Sequence, residues 1–158
     1  MRKLALSDEI LMKVDKAARY IGGEVNSIMK DKNNVDIRFA MCFPDVYEIG
    51  MSNLGMMILY NMFNEREDVW AERVFSPWLD LDKIMREKNI PLFALESQEP
   101  VKDFDFLGIT LGYEMCYTNV LQVLDLSHIS LLTKDREEDD PIVIGGGACA
   151  YNPEPIAE

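Results

Sequence analysis

Basic residues are scarce in this chain: 16 Lys and Arg stand against 28 Asp and Glu, a formal net charge of −12. So acidic a surface has no electrostatic footprint for nucleic acid, and no such partner is expected through this segment. Histidine is scarcer still. His128 stands near the end of an expected helix without the neighbours a metal site needs, and it reads as a surface or capping residue. Cysteine is limited to Cys42, Cys116 and Cys149, scattered and odd in number. That pattern makes neither a disulfide framework nor a C-x-x-C metal site, so each is expected to serve as a small apolar residue. No run approaches the roughly 20 apolar residues of a membrane span, and the start carries no signal-peptide core. A soluble, cytoplasmic protein with no membrane partner is expected. No G-x-x-x-x-G-K-S/T excludes a P-loop, and no G-x-G-x-x-G follows the first strand.

What is present is a core and a rhythm. Hydrophobic residues make up 48% of the 158, enough to fill the interior of one domain. Residues 35–55 set the pattern. Val35, Ile37, Phe39 and Met41 alternate with Asp36, Arg38 and Ala40, the period of a strand in β-favouring residues. Pro44 stops the ladder because it has no N–H to donate. Ser52 or Asn53 can cap a following helix, in which Leu54, Met57, Ile58 and Met62 continue at helical spacing to residue 64.

Further strand–helix units follow. Strands are expected over residues 69–75, 90–95, 104–111 and 141–144, the third of these almost continuously apolar as buried parallel strands are. Helices are expected over 79–88 and 113–126. Ahead of all this, Ser7 caps a helix running to about Tyr20, with Ile10, Leu11, Val14, Ala17 and Ala18 on its apolar face. The expected fold is therefore α/β: a flavodoxin-like or Rossmann-like doubly wound, mainly parallel sheet, with right-handed crossovers. Residues 1–34 form an N-terminal helical appendage and residues 35–158 the sheet domain. Asn152, Pro153, Glu154 and Pro155 look like the opening of another helix, so a truncated C-terminus is expected, with a final strand missing.

Loops leave the carboxyl ends of the expected strands at residues 44–50, 112–118 and 145–151. In this topology they converge on one edge, where open α/β folds bind ligands. Glycine there lets backbone approach a large planar or phosphorylated group. The alternative reading of Gly145, Gly146 and Gly147 is a plain turn after a strand. Asp45 can equally cap backbone amides, and Thr110 can equally bond to backbone at a strand end.

Asp45, Tyr47 and Gly50 have the form D-x-Y-x-x-G, which resembles the D-x-H-x-x-G loop of cobalamin-binding domains. LGITLG at 107–112 resembles their serine-bearing strand end, with Thr110 in the serine position, and Gly145-Gly146 resembles their glycine pair. With RYIGGE, FPDVYEIGMSNLG and IGGGACAYNPEPIAE in this order, the chain is similar to the N-terminal regions of bacterial radical SAM proteins with a cobalamin-binding-like domain before the radical SAM barrel. The resemblance implies a corrinoid site lined by Asp45, Tyr47, Gly50, Thr110, Gly112, Gly145 and Gly146. It also implies a partner in the protein's own downstream domain, holding a [4Fe–4S] cluster and S-adenosylmethionine. The C-x-x-x-C-x-x-C that such a cluster needs is not in this chain, so no catalytic residue is expected in it and the fragment alone should be inert. Tyr47 departs from the family's histidine. A neutral phenol with an ordinary pKa near 10 is a poor cobalt ligand, so its implied role is to cover the corrinoid's lower face without coordinating. The alternatives are a cofactor-free docking or scaffold domain, a flavodoxin-like nucleotide or flavin binder, and a fragment that dimerises through exposed apolar surface.

Overall fold

The computed structural model describes residues 4–158. Its centre is a sheet of β1 (Ile37–Phe43), β2 (Val69–Phe75), β3 (Phe106–Thr110) and β4 (Ile142–Gly146). All neighbours are parallel, in the spatial order β2-β1-β3-β4. That order, with helices on both faces, is the doubly wound α/β arrangement of flavodoxin-like and Rossmann-like folds. The chain leaves β1 toward β2 and then returns past β1 to β3. The C-terminal ends of β1 and β3 thus flank a topological switch point.

The connecting helices follow the sequence closely. After a short α2 (Tyr47–Met51), helix α3 (Leu54–Asn64) links β1 to β2; the Asn53 side chain accepts from the Met56 N–H at 2.9 Å as its N-cap. Helix α4 (Leu79–Lys88) carries Asp80 and Asp82 in its first turn and Arg86 and Lys88 in its last, matching its dipole, and Asn89 ends it at φ 52°. Helix α5 (Tyr117–Leu126) joins β3 to β4. Gln122 on α5 donates to Asp82 on α4 at 2.9 Å.

Alternation along β1 divides the interior in two. Ala40 and Cys42 join Leu107, Ile109, Leu81, Met85, Val120 and Val123 in the core beneath α4 and α5. Met41 and Phe43 join Ala71, Met56 and Tyr60 beneath α3. All three cysteines are free and buried, and burial pushes the Cys42 thiol upward. All three serve as small packing residues.

Besides α2, which forms within the expected loop at residues 44–50, three elements differ from the sequence pattern. The N-terminal helix stops after one turn, α1 (Asp8–Leu11), because Lys16 takes a left-handed conformation at φ 53° and the Asp15 N–H turns to the Asp80 carboxylate at 2.6 Å. Leu6, Ile10, Val14 and Tyr20 still enter the core, as a wrapped strap and not as one helical face. Residues 90–95 form no strand. Pro91 has no N–H, and the backbone bonds elsewhere: Leu92 N–H to Leu126 O at 2.8 Å and Leu95 N–H to Arg73 O at 2.8 Å. Finally, residues 114–116 make a 3-10 turn before α5 begins at Tyr117.

Strand β2 carries what periodicity could not anticipate, adjacent buried charges. Arg73 and Glu96 are fully buried and paired at 2.6 Å. Glu72, also fully buried, pairs with Arg38 at 2.6 Å. These groups also finish the sheet's edge. Glu96 accepts from the Arg73 N–H at 2.6 Å and Glu72 from the Ser97 N–H at 2.7 Å.

Candidate ligand groove at the carboxyl edge of the sheet

The loops after β1, β3 and β4 are stitched to one another. Asp45 follows Pro44; one of its oxygens accepts from the Val46 N–H at 2.7 Å and the other from the Tyr113 hydroxyl at 2.6 Å. Asn119, near the start of α5, donates to Pro44 O at 2.9 Å. The Leu111 N–H donates to Gly146 O at 2.6 Å, and Leu111 O accepts from the Cys149 N–H at 3.0 Å. Gly147, at φ 123°, is needed there: a Cβ would stand 2.5 Å from Leu111 O. The three loops therefore share one rim at the switch point.

Below that rim, on the α3 side, a groove of about 400 Å³ opens over β1, β3 and β4. Its walls are Phe39, Met56, Leu59 and Phe63; its floor is Gly108, Thr110, Ile144 and Gly146. The floor is open at Gly146, whereas the Phe39 ring lies over Gly108. A side chain on Gly108 would collide with the Phe39 ring at 2.5 Å, whereas a Cβ on Gly146 would meet nothing within 4 Å and would project into open space. A shallow apolar slot with one hydroxyl suits a flat, rigid group.

The residues singled out from the sequence divide between two places. Thr110, Gly145 and Gly146 border the groove, and Asp45 and Gly112 lie on the rim above it. Tyr47 and Gly50 are elsewhere. The Tyr47 ring meets Phe75 of β2 edge-on at 5.6 Å, and its hydroxyl donates to Glu24 at 3.2 Å. Burial and the Glu24 carboxylate both hold this phenol above its ordinary pKa. Gly50 is buried beneath the same Phe75, where a Cβ would stand 2.2 Å from the ring. It permits α2 to pack on the sheet.

Two features of the groove escaped the motif reading. Phe39 and Gly108 are register partners' neighbours across β1 and β3, and only the pairing of Met41 with Gly108 shows that they share a face. The Asp45–Tyr113 latch spans 68 positions in the sequence. Its signal was an acid and a phenol at the mouths of adjacent strands.

The latch has a pH signature. The hydrogen bond to Asp45, with partial burial, pushes the Tyr113 hydroxyl up to about 12. A raised pKa stabilises the fold fully below the ordinary tyrosine value of about 10, and that contribution is lost as pH rises through about 12. Tyrosinate absorbance of wild type minus Tyr113→Phe should show one group ionising near 12. A difference curve centred near 10 would mean the latch is open in solution.

Residues 55–158 match the family described as radical SAM proteins, N-terminal. The chain belongs to that family. It is also 27% identical, over 122 residues, to an uncharacterized protein of Methanocaldococcus jannaschii. That alignment covers 75% of this chain and 21% of the relative, so the chain spans about a fifth of the relative's length. No solved structure matches. The radical SAM N-terminal match takes in α3 from Gly55 on, all strands after β1 and the loops after β3 and β4, but not the D-x-Y-x-x-G segment. Among the described residues no cluster of metal-ligating side chains and no helix long and apolar enough to cross a membrane is present.

Proposed function

We propose that this radical SAM N-terminal domain holds a corrinoid, or the flat part of a substrate, in the groove at the β1–β3 switch point, and presents it to a radical SAM barrel elsewhere in the protein. The observation that carries the reading is the groove walled by Phe39, Met56, Leu59 and Phe63, which is open above Gly146 beside the single hydroxyl of Thr110. Such a slot would take the planar base of a corrinoid, and Thr110 would supply the hydroxyl that bonds to it. Asp45 and Tyr113 stand at the rim, where larger polar parts of the ligand would emerge.

Lower-face coordination is a separate matter. Tyr47 is engaged with Glu24 and Phe75 on the β2 side, so it does not fit the role of axial ligand. When bound, a corrinoid supplies cobalt-centred group transfer or redox chemistry. This chain's own residues position it and exclude water from its apolar side. The [4Fe–4S] cluster and S-adenosylmethionine belong, on this reading, to the barrel.

Hydroxocobalamin mixed with the protein should co-elute on gel filtration, with a visible spectrum that lacks a protein-nitrogen ligand. Tyr47→Phe should leave both retention and spectrum unchanged. A colourless protein peak would remove corrinoid binding and leave a docking domain.

A further inference from the structure

The segment that closes the rim is held less firmly than the elements on either side of it. Leu111 is fixed at both its backbone groups: the N–H donates to Gly146 O and the carbonyl accepts from the Cys149 N–H. Helix α5 is fixed too, with Asn119 bonded to Pro44 O and Val120, Val123 and Leu124 buried. Between these anchors Gly112, Tyr113, Glu114 and Met115 are all exposed, Met115 by 85% and Tyr113 by 41%. A stretch that buries so little apolar surface belongs to the least stable part of a fold.

Its tie to the β1 loop is the 2.6 Å bond from the Tyr113 hydroxyl to Asp45. Asp45 does not depend on that bond for its place. Its N–H donates to Phe43 O at 2.8 Å, its carbonyl accepts from the Ser76 N–H at 3.0 Å, and its other carboxylate oxygen holds the Val46 N–H. Tyr113 is therefore the half that moves. Next to it stands Gly112, where even a Cβ would meet nothing within 4 Å, so the backbone has room to turn. The bond crosses the crevice between the loops after β1 and β3, the mouth by which ligands enter open α/β sheets.

We infer that Asp45 and Tyr113 form a releasable bar across the mouth of the groove: Tyr113 swings out about Gly112 to admit the ligand, and the freed carboxylate and phenol then bond to the ligand's polar groups. The ligand here is the corrinoid of the proposed function, on which this part rests; the swing of Tyr113 does not rest on it. An exposed hydrogen bond of this kind favours the closed form roughly tenfold, so about one molecule in ten is open and association is slowed by about that factor. The amide groups around a corrinoid would replace the bond given up, offering N–H groups to Asp45 and carbonyls to Tyr113.

Stopped-flow mixing of hydroxocobalamin with wild type and Tyr113→Phe, read by tryptophan quenching, tests the gate. The variant should associate about five- to tenfold faster and also dissociate faster, because the phenol's bond to the ligand is lost. Faster dissociation with unchanged association would make Tyr113 a fixed contact and overturn the gate. The swing is read without corrinoid at Cys116, which is buried and whose N–H donates to Tyr113 O at 3.2 Å. Labelling of Cys116 by N-ethylmaleimide, located by peptide mass mapping, should be about five- to tenfold faster in Tyr113→Phe, with buried Cys42 unchanged. Equal Cys116 labelling in both proteins, or equal acceleration at Cys42, would overturn the inference whether or not corrinoid binds. Accelerated Cys116 labelling in a protein that takes up no hydroxocobalamin would remove the corrinoid reading and support the moving bar alone.

Discussion

Arg73→Met is expected to cost about 3–5 kcal/mol in urea unfolding, most of the margin of a domain this size. Arg73 is the largest fully buried side chain among the described residues, and its guanidinium holds several partners at once. It pairs with Glu96 at 2.6 Å, donates to Asn26 at 3.1 Å and to Ser27 at 3.0 Å, and lies 4.6 Å over the Tyr60 ring. Methionine keeps much of the volume and none of the charge. What destabilises the variant is the carboxylate left behind: Glu96 is fully buried, and desolvation already holds its pKa above the ordinary value despite Arg73.

The sign of the pH dependence follows. Without Arg73 the folded state binds a proton at Glu96 more tightly than the unfolded chain does. Stability of Arg73→Met should therefore rise as pH is lowered from about 8 toward 5.5, opposite to an ordinary surface carboxylate. The double variant Arg73→Met with Glu96→Gln should restore more than half of the loss, because the amide still accepts from the residue 73 N–H without carrying charge. Equal losses for the single and double variants would mean that the ion pair is not the source of the effect.

Gly147→Ala should destabilise by on the order of 2–4 kcal/mol, while Gly112→Ala and Gly146→Ala stay within roughly 0.5 kcal/mol of wild type. The difference lies in surroundings. At Gly147 the backbone has φ 123°, and the added methyl would meet the carbonyl oxygen of Leu111 at 2.5 Å. That carbonyl is held by the Cys149 N–H, so it cannot swing away without opening the loop. At Gly112 and Gly146 a Cβ has nothing within 4 Å. Thermal unfolding of the three variants in one buffer decides the matter. A tolerated Gly147→Ala would mean that the rim is not assembled as described.

These glycines also mark how far the sequence could be read. Strand β2 and helix α4 match their sequence patterns from Val69 to Phe75 and from Leu79 to Lys88, because Ser76-Pro77 closes the strand and the helical spacing of Leu81, Ile84 and Met85 begins just after it. The doubly wound order follows from alternating elements and crossover handedness. By contrast, the apolar spacing of residues 10–20 fits a helix but is spent on a strap, since tertiary contacts to Asp80 and the core outweigh a weak local propensity. Apolar residues 90–95 are likewise claimed by the end of α5 and by β2.

At the rim, sequence brought the right loops together but could not aim the side chains. Asp45 and Tyr47 are two positions apart, yet one faces Tyr113 and the other Phe75, because α2 begins between them. A motif fixes spacing; which face of a short helix a residue takes is settled by packing partners that lie elsewhere in the chain. Gly50 illustrates the same point, since its lack of a side chain serves Phe75 and not a ligand.

The most direct test of the groove is equilibrium dialysis of hydroxocobalamin against wild type and Gly146→Leu side by side. Position 146 is exposed and opens into the slot, so leucine should fill it without disturbing the fold, which circular dichroism would verify. Bound corrinoid should fall at least tenfold in the variant. Equal binding by both proteins, or binding by neither, would contradict the placement of a flat ligand over Thr110 and Gly146.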